Sequence, residues 1–138
     1  MEKPSKRILC VDDDKDTCEM LAAILRLQRY EVVQARTIAS ALLLASAENF
    51  DLIILDWKLP DGTGVELCQK LAGLLVEAPV LFYSGNNSDE TWTEAMNAGA
   101  SGFLVKPVPV PKLLQTISDL AGERSAGLPS QERPQSQT

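Results

Sequence analysis

The chain has 138 residues, 45% of them hydrophobic, and a formal net charge of −6. A chain of this length has room for one domain-sized core, and its acidic balance without a run of basic residues argues against a nucleic-acid surface. Histidine is absent, which excludes Ser-His-Asp and Cys-His nucleophiles and imidazole metal sites.

The three cysteines lack paired spacing, so we expect buried thiols and not a disulfide scaffold or a zinc site. The N-terminus is polar and no segment approaches membrane-spanning length. We therefore expect a cytoplasmic protein that is not exported and does not contact a membrane.

Short apolar runs alternate with helical patterns along the chain. Four runs are apolar on both faces, which is typical of parallel strands covered by helices on each side. These runs are residues 8–11, 52–55, 80–83 and 103–105. A more polar run, residues 31–34, is typical of an edge strand.

Apolar residues at helical spacing lie between these runs. They include Cys18, Leu21, Ala22 and Leu25, then Ile38, Ala41, Leu42 and Ala45, and finally Leu113, Ile117 and Leu120. Helix starts are indicated by Asp14, by Thr63 with Glu66 as a capping box, and by Ser88. Pro111 indicates a late start for the fifth helix. A βα unit repeated five times predicts an α/β fold with a doubly wound parallel sheet.

The predicted folded domain covers residues 7–121, after a polar N-terminal extension at residues 1–6. Residues 122–138 are rich in Ser, Gln, Pro and charge without periodicity. Such a composition cannot bury enough apolar surface to fold alone, so we predict a flexible tail or linker stub.

Acidic residues follow two of the predicted strands. Asp12, Asp13 and Asp14 follow the first strand, and Asp56 follows the third. The carboxyl ends of strands flank the ligand crevice in open α/β sheets, so these acids converge if the two strands are neighbours. Clustered carboxylates repel one another unless a cation lies among them, and Mg²⁺ suits such a set. The competing interpretation is that the three acids only cap a helix. Capping requires one acid, so this interpretation leaves the other acids unexplained.

Ser84 and Lys106 lie at the ends of the fourth and fifth predicted strands. Either alone is usually a surface loop residue. Placed together at the same edge of the sheet, a hydroxyl donor and an ammonium group are suited to bind a phosphoryl group. A dinucleotide is disfavoured, because acids stand where a phosphate-binding glycine loop is needed.

These residues together resemble the receiver domains of two-component response regulators, over roughly residues 7–121. The resemblance is carried by Ile8-Leu9-Cys10-Val11-Asp12-Asp13, by Asp56 with Leu59-Pro60-Asp61-Gly62, by Ser84, by Ala98-Gly99-Ala100 and by Lys106-Pro107. It implies a (βα)5 flavodoxin-like sheet of strand order 2-1-3-4-5. It also implies a phosphorelay signalling domain that is not an enzyme acting on other substrates.

The resemblance implies that Asp56 accepts a phosphoryl group from a histidine kinase or a histidine phosphotransfer protein. Mg²⁺ is then the expected cofactor, bound by Asp12, Asp13, Asp56 and the backbone carbonyl of Lys58.

The remaining implied roles concern the switch. Ser84 and Lys106 bind the phosphoryl group, Phe103 changes rotamer with Ser84, and Lys58 and Asn86 tune the phosphoryl lifetime. The output partner is expected on the surface of the fourth helix, fifth strand and fifth helix, and the bond between Lys106 and Pro107 is expected to be cis as in relatives.

Two other functions stay open. An aspartyl-phosphate phosphohydrolase needs a second Asp two residues after its nucleophile, and here that position is Lys58. The other is a degenerate receiver that binds partners without phosphate. The presence of Asp12, Asp13, Asp56, Ser84 and Lys106 argues against it. Trp92 either packs against Met96 or anchors a partner, and the sequence does not separate the two.

Overall fold

The computed structural model describes residues 5–86 and 88–123. Its strands are β1 (Arg7–Val11), β2 (Glu31–Ala35), β3 (Leu52–Leu55), β4 (Lys58–Leu59), β5 (Gly62–Thr63), β6 (Val80–Ser84) and β7 (Gly102–Val105). Its helices are α1 (Lys15–Leu27), α2 (Ile38–Ala47), α3 (Gly64–Gly73), α4 (Asp89–Asn97) and α5 (Val110–Ser118), followed by a π-helical turn at Asp119–Glu123.

Five strands form one parallel sheet in the order β2-β1-β3-β6-β7. Leaving out β4 and β5, which pair only with each other, this is the predicted order 2-1-3-4-5, which is confirmed. The polar strand β2 lies at an edge as predicted, whereas β3 is buried along its whole length. The antiparallel hairpin of β4 and β5 was not predicted, because strands of two residues are too short to produce an alternating pattern.

The sheet separates two apolar clusters. Leu9, Ile53 and Phe82 face one side and pack with α2, α3 and α4. Ile8 and Ile54 face the other side and pack with α1 and α5. Each such side chain contributes about 1.5–3 kcal/mol when fully buried. This burial on both faces fixes the central strands and therefore the positions of the loops at their carboxyl ends.

The predicted helix starts are confirmed. The side chains of Asp14 and Ser88 accept hydrogen bonds in the first turns of α1 and α4, and Thr63 with Glu66 forms the capping box of α3. The fifth helix begins late, at Val110, with Pro111 in its first turn. The bond between Lys106 and Pro107 is cis.

Gly122, near the end of the described residues, has a φ of 95° in the π-helical turn. The rest of the predicted tail and most of the predicted N-terminal extension lie outside the described residues, so the domain boundaries stay predictions. In residues 5–86 and 88–123, no helix combines the length and apolarity that crossing a membrane requires.

Candidate functional site

The predicted site residues lie along the carboxyl edge of the sheet. Asp12 follows β1, Asp56 follows β3, Ser84 ends β6 and Lys106 follows β7. Since these four strands are consecutive neighbours in the sheet, residues that are far apart in sequence meet at one edge. This is the convergence that the carboxyl ends of parallel strands were expected to produce.

Three carboxylates form an acidic cluster at this edge. One oxygen each from Asp12, Asp13 and Asp56 lies within 4.8 Å of the other two. Asp12 is only 3% exposed, and one of its oxygens accepts a hydrogen bond of 2.9 Å from the backbone N–H of Asp14. Asp13 is exposed and Asp56 is half-buried. The cluster therefore has a fixed inner carboxylate and a side that faces solvent.

Asp14 makes different contacts from its two neighbours. Its carboxylate accepts hydrogen bonds from the backbone and the hydroxyl of Thr17, and these bonds lower the pKa of Asp14. The helix-capping interpretation thus holds for Asp14 alone.

Lys106 brings a positive charge to the acidic cluster. Its Nζ lies 3.3 Å from Oδ2 of Asp12 and 5.0 Å from the ring centroid of Tyr83. The contact over the ring face adds a cation–π attraction. A single ammonium group does not neutralise three carboxylates, so the cluster keeps an excess of negative charge.

The environment of Asp56 raises the pKa of its carboxyl group. Burial is the largest cause and the charge of Asp12 comes next. The backbone N–H of Trp57, which donates to Oδ1 of Asp56 at 2.7 Å, and the charge of Lys106 act in the opposite direction. Because burial and repulsion together outweigh the stabilising contacts, a hard divalent cation such as Mg²⁺ fits this donor set.

Ser84 and Asn86 are engaged within their own loop. Ser84 is buried, and its hydroxyl oxygen accepts a hydrogen bond of 3.2 Å from the backbone N–H of Asn86. The side-chain oxygen of Asn86 accepts from the Thr91 hydroxyl of α4 at 2.9 Å. The backbone N–H of Lys106 donates to the carbonyl of Ser84 at 2.8 Å. The structure thus joins Ser84 to Lys106, whereas the side chain of Asn86 is engaged with α4.

The two other predicted residues differ in exposure. Phe103 is buried and stacks on Phe82 with a centroid distance of 5.7 Å. Lys58 is exposed in β4, two residues beyond Asp56. Trp57 packs against Phe82 from another direction, at 5.6 Å. Trp92 is partly buried against the same apolar cluster, which favours packing over anchoring.

Gly64 supports the site but was missed from the sequence. Its N–H donates to the carbonyl of Trp57 at 2.7 Å. A Cβ at this position would lie 2.8 Å from Cε2 of Phe82 and against the backbone carbonyl of Asp56. The backbone around Asp56 thus passes too close to Gly64 for a side chain. The signal available in the sequence was a glycine inside the α3 capping box.

Asp61 was named in the sequence only as part of a motif. Its two carboxylate oxygens accept hydrogen bonds from the backbone N–H groups of Ile38 and Ala39, at 2.8 and 3.1 Å. The loop after Asp56 is thereby attached to the start of α2.

Comparison with known proteins agrees with this geometry. The family model of the response regulator receiver domain matches residues 8–118. The response regulator protein PilR of Pseudomonas aeruginosa is 34% identical over 113 residues, which are 82% of this chain and 25% of PilR. The transcriptional regulatory protein ZraR of Klebsiella oxytoca is 34% identical over 131 residues, 94% of this chain and 30% of ZraR.

The chain thus spans between about a quarter and a third of the length of these two relatives. A receiver domain protein from Methanospirillum hungatei JF-1, known from its crystal structure, has a TM-score of 0.82 and 36% identity. That match covers 87% of this chain and 96% of the other. With the family model matched over most of its length and the same fold in a solved relative, this chain belongs to the receiver domain family of two-component response regulators.

Proposed function

We propose that this receiver domain accepts a phosphoryl group on Asp56 and holds it as a signal. The observation that carries the proposal is the cluster of Asp56 with Asp12 and Asp13, whose oxygens lie within 4.8 Å of one another. Lys106 lies at 3.3 Å from Asp12 on the same edge. A carboxylate surrounded by acids and one cation is suited to bind a metal ion and a phosphoryl group together.

Mg²⁺ is the proposed cofactor. Asp12, Asp13 and Asp56 would hold it through carboxylate oxygens, and the backbone carbonyl of Lys58 would complete the protein ligands. When bound, Mg²⁺ would neutralise negative charge on the phosphoryl oxygens and on the acidic cluster.

The proposed donor is a phosphohistidine of a histidine kinase or of a histidine phosphotransfer protein. A carboxylate oxygen of Asp56 would form the new P–O bond while the P–N bond to the donor imidazole breaks. The imidazole leaves with the electron pair of that bond and takes up a proton. A receiver that takes its phosphoryl group from such a kinase would work in the cytoplasm.

The switch would use Ser84, Lys106 and Phe103. A phosphoryl group on Asp56 offers new acceptor oxygens, to which the Lys106 ammonium and the Ser84 hydroxyl would donate. The Ser84 oxygen would then give up its bond from the N–H of Asn86, and Phe103 would move into the space left by that loop. The population would shift toward a state whose α4–β7–α5 surface binds an output partner.

Decay of the signal would be set by hydrolysis at the solvent-facing side of the cluster. Lys58 and Asn86, each two residues beyond a site residue, would flank the attacking water and tune the lifetime. The α4 hydrogen bond of Asn86 would have to open for its side chain to take this role.

Phosphorylation by a small phosphodonor tests the proposal. The native chain is incubated with acetyl phosphate and Mg²⁺, and the product is followed by intact-mass spectrometry and by hydroxylamine, which cleaves acyl phosphates. We expect one hydroxylamine-sensitive phosphate that requires Mg²⁺. Asp56→Asn removes the nucleophile and should abolish the product, whereas the exposed α1 variant Asp16→Asn should leave it unchanged.

A native chain that binds Mg²⁺ but never acquires phosphate would refute the acceptor role and favour a receiver that binds partners without phosphate. Steady release of phosphate from esters such as p-nitrophenyl phosphate, lost in Asp56→Asn, would instead favour the phosphohydrolase.

A further inference from the structure

The loop that follows Asp56 is attached to α2 by one carboxylate. Both oxygens of Asp61 accept backbone hydrogen bonds, from Ile38 at 2.8 Å and from Ala39 at 3.1 Å. Asp61 itself is exposed to solvent. The contact spans more than twenty residues of sequence, so it joins two parts of the fold and is not a local turn.

These two bonds satisfy backbone N–H groups in the first turn of α2, where the first four N–H groups of a helix have no partner inside it. The N–H of Ser40 donates to the Thr37 hydroxyl oxygen at 3.0 Å, and the N–H of Ala41 makes the first regular helical bond, to the Thr37 carbonyl. The N–H groups of Ile38 and Ala39, which precede that bond, donate to Asp61. Since α2 has no acidic residue in its own first turn, Asp61 supplies the negative charge that a helix N-terminus favours.

The charge of Asp61 is stabilised by these contacts. Hydrogen bonds from the backbone of Ile38, and then of Ala39, lower the pKa of Asp61, against the effect of burial. The carboxylate is therefore ionised when it bonds to α2.

The same loop carries the backbone of the proposed metal site. Lys58 pairs with Thr63 and Leu59 pairs with Gly62 in the β4–β5 hairpin, so Asp61 lies at the tip of the hairpin whose first residue is Lys58. On the other side, the Glu66 carboxylate accepts from the N–H of Thr63 at 3.2 Å. The hairpin is thus held between the starts of α2 and α3.

Space around the hairpin is limited on both sides. Gly62 has a φ of 151°, and a Cβ there would lie 2.7 Å from Cδ1 of Ile38 and against the carboxylate of Glu66. Because Asp61 bonds to the first residue of α2 and the space between Gly62 and that residue is too small for a side chain, we expect movement of the hairpin and movement of that helix end to be coupled.

We propose that Asp61 is a positioning residue, which holds the β4–β5 hairpin against α2 and so orients the Lys58 carbonyl for the metal site beside Asp56. This proposal rests on the proposed function for its metal site. By thermodynamic reciprocity, a ligand bound beside Asp56 then also stabilises the bonds from α2 to Asp61.

The chain offers a matched control. Asp61→Ala removes two bonds at the start of α2, and Thr37→Ala removes one side-chain bond at the same helix end without touching the hairpin. Both variants weaken α2. Only Asp61→Ala releases the hairpin, and Asp61→Asn keeps the side-chain size while removing the charge.

The first measurement is backbone amide hydrogen exchange in the metal-free protein. We expect Asp61→Ala to speed exchange at Thr63 and Gly64, whose N–H groups donate to the Glu66 carboxylate and the Trp57 carbonyl, as well as at Ile38 and Ala39. Thr37→Ala is expected to speed exchange in α2 and to leave the hairpin protected. This measurement needs neither metal nor phosphate.

The second measurement is Mg²⁺ affinity, followed by the fluorescence of Trp57 beside Asp56, with Trp92→Phe removing the other fluorophore. We expect Asp61→Ala to weaken Mg²⁺ binding by about tenfold, the size typical of residues that orient metal ligands. Asp61→Asn should fall between it and the native chain, and Thr37→Ala should bind as the native chain does.

Hairpin exchange that stays native in Asp61→Ala, or a Mg²⁺ affinity equally weakened by Thr37→Ala, would overturn the positioning role. If the native chain binds no Mg²⁺, the metal site of the proposed function fails. In that case the metal-free exchange alone decides whether Asp61 holds the hairpin.

Discussion

Replacing Asp56 with Asn should make the metal-free protein more stable, although it removes the proposed acceptor. Oxygens of Asp12 and Asp13 lie within 4.8 Å of an Asp56 oxygen. At that distance a pair of like charges repels by about 1 kcal/mol in water and about 3.5 kcal/mol at an effective dielectric constant of about 20. Lys106 and the N–H of Trp57 offset part of this repulsion.

Asp56 is only half-buried, so solvent and salt screen much of what remains. We therefore expect a net gain of about 1 kcal/mol in the free energy of unfolding, or about 4 °C in Tm for a domain of this size. The gain has a defined pH dependence. Since the folded-state pKa of Asp56 is raised, its ionised form costs stability above that pKa, and the cost disappears as pH falls toward the unfolded value.

The assay is thermal unfolding followed by circular dichroism in EDTA at neutral pH, repeated at lower pH and at high salt. The gain should shrink in both series. Asp61→Asn is the matched control, and we expect it to lower the Tm. The pKa of Asp61 is lowered in the folded state, so its ionised form stabilises the fold at neutral pH. Added Mg²⁺ should raise the Tm of the native chain more than that of Asp56→Asn. An unchanged or lower Tm for metal-free Asp56→Asn would refute the reasoning that burial and repulsion together destabilise the ionised carboxylate of Asp56.

Two further predictions concern packing. Gly64→Ala should cost about 2–3 kcal/mol in the free energy of unfolding, the upper part of the range for overpacking, because its Cβ would press on the Phe82 ring and a backbone carbonyl. Gly73→Ala, where a Cβ meets no atom within 4 Å, should be neutral or stabilise by up to about 1 kcal/mol; urea unfolding compares the two, and equal effects would contradict the packing argument. The three cysteines are buried, and burial raises the pKa of Cys10 to about 12 and that of Cys68 to about 11. Native protein should therefore react with a thiol reagent such as DTNB only as fast as it unfolds, and all three thiols should react at once in guanidinium; rapid native reaction of any thiol would contradict this burial.

The strands and helix starts that could be predicted from the sequence depend on interactions within each segment. A strand buried on both faces must be apolar at every position, wherever its neighbours come from, so β1, β3 and β6 were recognisable. Helix starts were recognisable because Asp14, Thr63 and Ser88 bond within their own first turns. The alternation of strands and helices then limited the topology to a doubly wound sheet, and the strand order came from the family resemblance.

The rest of the site depended on contacts between distant parts of the chain. Asp12 and Asp13 meet Asp56 because β1 and β3 are neighbours in the sheet. Asp14, the next residue along the chain, is not part of this cluster and caps α1. The β4–β5 hairpin and the bond from Asp61 to α2 left no pattern that could be read locally. The sequence by itself determined which side chains stand at strand ends, since that follows from the pattern of burial within each segment. The tertiary structure alone decided which of them meet, because hydrogen bonds and charge repulsion act through space and not along the chain.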